Sequence, residues 1–275
     1  MEGIREKEAA LMAHLAPMGR AAVAFSGGVD STYLLHAAVR ALGAEHVLAV
    51  TMQLASVPAR ELAEARDFCA SRGIRQTVLP LDQFRAPGFA DNPPDRCYRC
   101  KRFLFETLQS YAAGEGFSHV LDGTNRDDAD HYRPGMRAIA ELGIESPLRA
   151  AELRKADIRA LSKEAGLPTW SKPAFACLAT RFPYGERITE EKLRMTEAAE
   201  DFLRRHGFAQ YRVRMHGDLA RIEVPEGDLA RLFALRKETA EALRALGFRY
   251  VTMDLMGYRM GSMDEALPAG GKETV

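Results

Sequence analysis

The sequence predicts an α/β fold, in which a parallel sheet with helices on both faces is followed by a small C-terminal α+β domain. Through the first two-thirds of the chain, short apolar segments alternate with helical patterns, an order typical of parallel sheets covered by helices. From about Ile188 the order changes to a helix, two strands around a Gly-Asp turn, a helix and a last strand. This order predicts a compact α+β domain with an antiparallel sheet. We place the main domain at residues 1–187 and the smaller one at 188–275.

The individual elements follow from short apolar runs for strands and from apolar positions at three- and four-residue spacing for helices. The charged N-terminal segment MEGIREKEAALMAHL is typical of an amphipathic helix. After it the main domain is predicted to contain strand 21–26, helix 31–43, strand 46–52, helix 58–73, strand 75–81, helix 98–113, strand 118–124 and helix 152–165. The smaller domain is predicted to contain helix 189–206, two strands in YRVRMHGDLARIEVP, helix 226–246 and a last strand in FRYVTMDL.

The composition limits the classes of partner. Lys and Arg number 38, as do Asp and Glu, so the chain lacks the positive charge expected of a dedicated nucleic-acid binder. No apolar run approaches the roughly 20 residues that span a bilayer, and the N-terminus has no signal-peptide apolar core. We therefore expect a cytoplasmic protein with a small-molecule substrate, and neither a nucleic acid nor a membrane as partner.

A loop rich in glycine and serine separates the first strand from its helix. This glycine loop consists of Ser26, Gly27, Gly28, Val29, Asp30 and Ser31. Glycines let backbone N–H groups at a helix N-terminus approach an anion closely, and the helix dipole favours negative charge there. The loop has neither the lysine of G-x-x-x-x-G-K-[ST] nor the spacing of G-x-G-x-x-G. A tight turn with Asp30 or Ser31 as the helix N-cap is the plainer alternative.

The string S-G-G-V-D-S nevertheless resembles the PP-loop of the ATP pyrophosphatases. That resemblance implies that the glycine loop holds the pyrophosphate end of ATP and that Asp30 reaches Mg²⁺. It also implies that the reaction adenylylates an acid or carbonyl oxygen.

Three of the four cysteines form a candidate ligand set. Cys97 and Cys100 form a C-x-x-C pair at the start of a predicted helix with basic neighbours, and Cys177 lies on a distant loop. Three thiolates are one short of a closed tetrahedral zinc site, and such open sites keep a position for chemistry. A redox pair or a fortuitous spacing is the alternative. Cys69 falls on the apolar stripe of its helix and is predicted to be core.

Cationic residues form a further candidate site in the smaller domain. Strand alternation sends Arg212 and Arg214 to one face, and cations clustered on a strand suit a phosphate and carboxylates. Arg181, four residues after Cys177, is a candidate for the same anion. A solvated strand face is the alternative.

Five strings together resemble the LarE family of ATP-dependent sulfurtransferases over roughly residues 20 to 265. They are FSGGVDS, LDGTNRDDADHYRPG, CLATRFPYGERIT, VRMHGDLARIEV and DLMGYRMGSMDE. The resemblance implies adenylylation of a carboxylate of pyridinium-3,5-biscarboxylic acid mononucleotide and replacement of oxygen by sulfur. The thiocarboxylate product is a precursor of the nickel-pincer cofactor of lactate racemase. Within this family, Gly123 and Arg133 are expected near the nucleotide, and Asp30, Cys177 and Arg181 in catalysis.

The family has two branches that differ in the sulfur source. In one branch the enzyme sacrifices its own cysteine, which lies one position before Cys177, where this chain has Ala176, and the C-x-x-C is absent. In the other branch three cysteines hold a 4Fe-4S cluster whose unique iron carries an extra sulfide. Cys97, Cys100 and Cys177 fit the second branch, so the expected cofactors are ATP, Mg²⁺ and a 4Fe-4S cluster, with sulfide or another sulfur donor.

Three other classes are kept as alternatives. A tRNA-thiolating PP-loop enzyme also pairs C-x-x-C with a distant cysteine, although the zero net charge weakens that interpretation. An ammonia-fed amide synthetase and a non-catalytic nucleotide-binding module are the others. A homo-oligomer is expected.

Overall fold

The computed structural model describes residues 2–130, 135–173, 176–259 and 261–263. They form two compact units. Residues up to 87 and residues 97–175 make the first unit, and residues 88–96 and those from 176 onwards make the second. The boundary that the sequence predicts at residue 187 stays a prediction.

The first unit contains a four-stranded parallel sheet, as predicted. Its strands are β1 (Ala21–Ala24), β2 (Val47–Gln53), β3 (Gln76–Pro80) and β4 (His119–Leu121), in the order β3-β2-β1-β4. β2 pairs with one side of β1, and β3 pairs with the far side of β2. β4 then pairs with the opposite side of β1. The strand order therefore reverses between β1 and β4, where open α/β sheets bind ligands outside the carboxyl ends of their strands.

Helices cover both faces of this sheet. They are α1 (Glu2–Leu15), α2 (Val29–Leu42), α3 (Ala59–Ser71), α4 (Arg96–Gly114), α5 (Gly135–Glu141), α6 (Pro147–Ala150) and α7 (Lys155–Glu164). Alternate residues of β1 enter opposite cores: Ala21 and Val23 pack with α1, α2, α3 and α7, whereas Ala22 packs with α4 and α5. The α/β class is confirmed, but α5 and α6 were not predicted. None of the helices in the described ranges combines the length and the apolar character that crossing a membrane requires.

The second unit contains a small mixed sheet. Its elements are α8 (Glu190–Arg205), β5 (Arg212–His216), β6 (Leu219–Glu223), α9 (Leu229–Ala234), α10 (Arg236–Ala245) and β7 (Tyr250–Met253). β5 and β6 pair antiparallel, as expected from their short turn, but β6 and β7 pair parallel. The prediction of an antiparallel sheet is therefore wrong. The helices between β6 and β7 return the chain to its starting end, so that β7 runs in the same direction as β6.

The predicted helix 226–246 is divided into α9 and α10. The break lies at Leu235, whose ψ of 6° leaves the α-helical range. Leu232, Thr239 and Leu243 are buried on both sides of the break. Their helical spacing continues through it, which is why the sequence predicts a single helix.

The end of β4 lies close to the start of α2, which generates a prediction about stability. A Cβ on Gly123 would lie 3.0 Å from the Ser31 amide nitrogen and 3.2 Å from its Cα. Because both are backbone atoms, Gly123→Ala should lower the free energy of unfolding by about 1–3 kcal/mol. Urea denaturation monitored by circular dichroism measures this change.

Gly114→Ala is the matched control. Gly114 is the last residue of α4, and a Cβ there meets nothing within 4 Å. Alanine should be neutral or stabilising by up to about 1 kcal/mol, because it has the better helix propensity. Equal stability of the two variants would contradict a tight approach at Gly123.

Candidate active site

The glycine loop enters α2 without a side-chain cap. Gly28 is the N-cap residue, with φ −80° and ψ 166°, and no described side chain caps the first turn. The alternative that Asp30 or Ser31 is the N-cap is therefore wrong. Gly27 has a φ of +71°, and a Cβ there would lie 3.3 Å from the Ala65 Cβ of α3. Glycine at position 27 therefore suits both the left-handed backbone and the close approach of α3. Because no described side chain caps α2, its first amide groups remain available to an anion.

The two serines of the glycine loop bind each other across it. The Ser26 and Ser31 hydroxyls lie 3.0 Å apart, and the Ser31 hydroxyl donates to the Gly28 carbonyl at 3.2 Å. The Ser26 amide also donates to the Ser31 hydroxyl, at 3.3 Å. These contacts fix the shape of the loop before any ligand binds.

Asp30 has one paired and one unpaired carboxylate oxygen. Oδ2 accepts a hydrogen bond from Lys155 Nζ at 2.5 Å, whereas Oδ1 is buried and has no hydrogen-bond partner among the described residues. Burial raises the pKa of the Asp30 carboxyl, and the Lys155 ammonium partly offsets this rise. A carboxylate oxygen is a ligand that Mg²⁺ prefers, so Asp30 fits the metal-binding role implied by the PP-loop resemblance.

The segment after β4 lies against the glycine loop. Gly123 approaches the Ser31 backbone, and both oxygens of the neighbouring Asp122 carboxylate are occupied, by the hydroxyls of Thr124 at 2.5 Å and Ser146 at 2.6 Å. Asp122 thereby holds the turn that brings Gly123 beside α2. Arg133, the other residue expected near the nucleotide, lies outside the described residues.

Two lysines beside the glycine loop were missed by the sequence reasoning. Lys155, the first residue of α7, pairs with Asp30, and Lys172 Nζ donates to the Gly27 carbonyl at 3.2 Å. Both lie more than 120 positions away in the chain. Neither stands in a recognisable motif, so the sequence carries no local signal for either contact.

The C-x-x-C pair lies in the first turn and a half of α4, as predicted. Cys97 is partly exposed and Cys100 is buried. The Gln83 side-chain amide donates to Cys100 Sγ at 3.1 Å, and the Ser56 hydroxyl donates to the Gln83 amide oxygen at 2.7 Å. The Cys100 sulfur therefore accepts a hydrogen bond, as sulfur ligands of metal clusters do. Neither Ser56 nor Gln83 stands in a motif that would predict this contact from the sequence.

Cys69, by contrast, lies in the apolar core as predicted. It is 1% exposed and packs in the core formed by α1, α2, α3 and α7. Burial raises the pKa of its thiol to about 12. A thiol in these surroundings is inert.

In the second unit, Cys177 lies immediately before the 3₁₀ turn Leu178–Arg181. Its carbonyl accepts hydrogen bonds from the Thr180 amide at 2.9 Å and the Thr180 hydroxyl at 2.8 Å. Arg181, at the end of the turn, is fully buried and binds both oxygens of Glu200, at 2.6 Å and 3.1 Å. Arg181 is thus held rigidly four residues from Cys177.

Arg212 and Arg214 are both buried on β5. Arg214 pairs with Glu223 at 2.8 Å and also donates to the Thr180 carbonyl at 3.0 Å. Arg212 donates to the Tyr211 carbonyl at 2.6 Å, and its guanidinium lies 5.3 Å from the centre of the Tyr258 ring. Burial lowers the pKa of Arg212, and the neighbouring Arg181 lowers it further. Because both side chains are buried, the solvated-face alternative is wrong for these two residues.

Within each unit taken alone, the described residues contain no group of three or more His, Cys, Asp or Glu side chains that could hold a metal ion. Cys97 and Cys100 belong to the first unit and Cys177 to the second. The ligand role of these three cysteines stays a prediction.

Comparison with known proteins identifies the family. A family model described as NAD synthase matches residues 9–90, which contain the glycine loop. The chain is 38% identical over 267 residues to pyridinium-3,5-bisthiocarboxylic acid mononucleotide synthase of Lactiplantibacillus plantarum, an alignment that covers 97% of each protein. It is 40% identical to an uncharacterized protein of Synechocystis, over 91% of this chain and 94% of that protein. An uncharacterized protein of Methanocaldococcus jannaschii is 31% identical, over 86% and 90% of the two chains.

Similarity at this level over almost the whole length, together with the geometry of the glycine loop, means that the chain belongs to the LarE family of PP-loop sulfurtransferases.

Proposed function

We propose that this enzyme uses ATP to insert sulfur into pyridinium-3,5-biscarboxylic acid mononucleotide. The observation that carries the proposal is the start of α2, where uncapped amide groups, two glycines and the unpaired Asp30 Oδ1 lie together. This arrangement suits a pyrophosphate group with its Mg²⁺. The relative from L. plantarum is named for the corresponding bisthiocarboxylic product.

The proposed first step activates a substrate carboxylate. A carboxylate oxygen attacks the α-phosphorus of ATP, a new P–O bond forms, and the bond to the β-phosphate breaks as pyrophosphate leaves. The amide groups of α2 bind the departing pyrophosphate, and Asp30 would hold a Mg²⁺ ion, which would neutralise part of the negative charge on the leaving group. A sulfide sulfur then attacks the acyl carbon, so that a C–S bond forms while the C–O bond to AMP breaks.

The cationic residues of the second unit are our candidates for binding the mononucleotide. Its phosphate and carboxylates are anions. Burial and the positive charge of the neighbouring Arg181 both disfavour the charged form of the Arg212 guanidinium. A bound anion relieves that repulsion through charge-assisted hydrogen bonds. Glu200 and Glu223 hold Arg181 and Arg214 in fixed orientations, which reduces the conformational entropy lost on binding.

The sulfur source is proposed to be a 4Fe-4S cluster held by Cys97, Cys100 and Cys177. Three thiolates are the ligand type that such clusters take, and the hydrogen bond from Gln83 to Cys100 Sγ suits a sulfur that bears negative charge. When bound with three protein ligands, the cluster would offer one iron to an exogenous sulfide. Sulfide or another small sulfur donor is then the co-substrate, and the protein is not consumed. A homo-oligomer remains our expectation.

Sacrifice of the Cys177 sulfur is the second candidate function. It is favoured by the partial exposure of Cys177 on a loop beside the buried Arg181. In this mechanism each chain gives up one sulfur and retains dehydroalanine. A tRNA-thiolating enzyme is less well supported, because the zero net charge does not suit a polyanion.

Asp30→Ala should abolish adenylylation. Without the carboxylate, Mg²⁺ and the departing pyrophosphate lose their position, and we expect a loss of roughly 100-fold or more. Substrate-dependent pyrophosphate release measures the effect. Asp67→Ala, on the exposed side of α3, is the matched control and should retain full activity. Undiminished release by the Asp30 variant would reject the assignment of the glycine loop.

Alanine at Cys97, Cys100 or Cys177 should in each case remove the iron. Cys69→Ala is the control and should keep it, because Cys69 lies in the core. Iron and sulfide contents and the visible spectrum of anaerobically reconstituted protein report on the cluster. With added sulfide, the unaltered enzyme should form more than one product per chain and keep its mass. Protein that binds no iron and carries dehydroalanine at residue 177 after one turnover would instead support sacrifice.

Arg212→Ala should weaken binding of the pyridinium mononucleotide and leave ATP binding unchanged. A lost charge-assisted contact costs about 1.5–3 kcal/mol, which corresponds to roughly 10- to 150-fold in affinity. Separate calorimetric titrations of the two ligands measure this difference. Arg194→Ala, on the exposed face of α8, should change neither affinity. Equal losses for both ligands in the Arg212 variant would indicate misfolding rather than a binding role.

A further inference from the structure

Lys172 touches the backbone of the glycine loop from a distant part of the chain. It follows the 3₁₀ turn Pro168–Ser171, and its ammonium donates to the Gly27 carbonyl at 3.2 Å. The same ammonium pairs with Glu61 at 2.7 Å and with Glu64 at 2.6 Å. One cation therefore lies between the glycine loop and two carboxylates of α3.

The two carboxylates differ in exposure. The Glu61 side chain is 8% exposed, whereas that of Glu64 is 56% exposed. An ion pair with a solvated carboxylate is weak, because water and salt screen it. The contact between Lys172 and Glu64 is therefore readily exchanged for a contact with a stronger anion.

An anion that enters the glycine loop needs a nearby cation. The loop carries no lysine or arginine, and its one charged residue is Asp30. Lys155 is already paired with Asp30. The close approach of α3 behind Gly27 also brings Glu61 and Glu64 to this side of the loop, and without compensation their negative charge would repel pyrophosphate.

We propose that Lys172 is a catalytic residue that exchanges Glu64 for the pyrophosphate group of ATP and stabilises it as it departs. The inference rests on the proposed function, since it assumes that the glycine loop binds ATP. As the bond between the α-phosphorus and the bridging oxygen breaks, negative charge grows on the leaving group. The Lys172 ammonium neutralises part of that charge through hydrogen bonds and transfers no proton. Glu61 keeps its ion pair with the ammonium and so holds Lys172 near the loop, while Glu64 releases it.

The test compares two substitutions that should act in opposite directions. Lys172→Met should weaken binding of magnesium pyrophosphate roughly 10-fold or more, because a charge-assisted contact is lost. Glu64→Gln should tighten it by roughly two- to five-fold, the size of one exposed ion pair. Isothermal titration of inorganic pyrophosphate with Mg²⁺ measures both. Lys237→Met, at an exposed lysine of α10, is the control and should leave the affinity unchanged.

The outcomes separate this inference from the proposed function. Unaltered protein that binds neither ATP nor pyrophosphate would overturn both. Unaltered protein that binds both ligands, together with a Lys172→Met variant of equal affinity, would overturn the role of Lys172 alone. If Lys172 only braced the loop, Glu64→Gln would weaken binding or leave it unchanged, and that result would also overturn the proposal. Partial recovery of affinity in Lys172→Arg is expected.

Discussion

The candidate ATP site depends on the close approach of two backbones at the point where the strand order reverses. β1 and β4 are neighbours, so the glycine loop after β1 and the turn after β4 meet at one edge of the sheet. The contact leaves 3.0 Å between the Ser31 amide nitrogen and the position that a Gly123 Cβ would occupy. The Asp122 carboxylate, bound by two hydroxyls, fixes this turn. The geometry at the start of α2 is thus held by backbone packing rather than by a side-chain cap. The first amide groups of α2 therefore remain available to bind an anion.

The charged residues around the two candidate sites are arranged differently. At the glycine loop the partly buried Asp30 has a raised pKa and one oxygen with no hydrogen-bond partner among the described residues, which suits a site that gains a cation. Around β5 the buried Arg212 has a lowered pKa, which suits a site that gains an anion. Burial is the largest cause of both shifts, because low-dielectric surroundings disfavour a charged group. The ligand proposed for each site carries the charge opposite to that of the buried group.

The sequence predicted the main sheet, the flanking helices other than α5 and α6, and the glycine loop, because these depend on local apolar patterns and one short motif. It could not predict the contacts of Lys155 and Lys172, since each joins positions more than 120 residues apart. The parallel pairing of β7 was missed for a related reason: strand direction depends on the path through α9 and α10, not on the strand itself. The break at Leu235 was missed because the spacing of buried residues continues across it.

The cysteines illustrate why burial alone does not separate a core residue from a candidate ligand. Cys69 and Cys100 are both buried, at 1% and 8% exposure. The Cys69 thiol lies among apolar side chains, which disfavour the thiolate and raise its pKa to about 12. The Cys100 sulfur instead accepts an N–H from Gln83, whose own amide oxygen is held by Ser56. A hydrogen bond of this kind favours negative charge on sulfur, and charged sulfur is what a metal binds. The polar partners of a buried thiol, rather than its depth, therefore distinguish the candidate ligand Cys100 from the core residue Cys69.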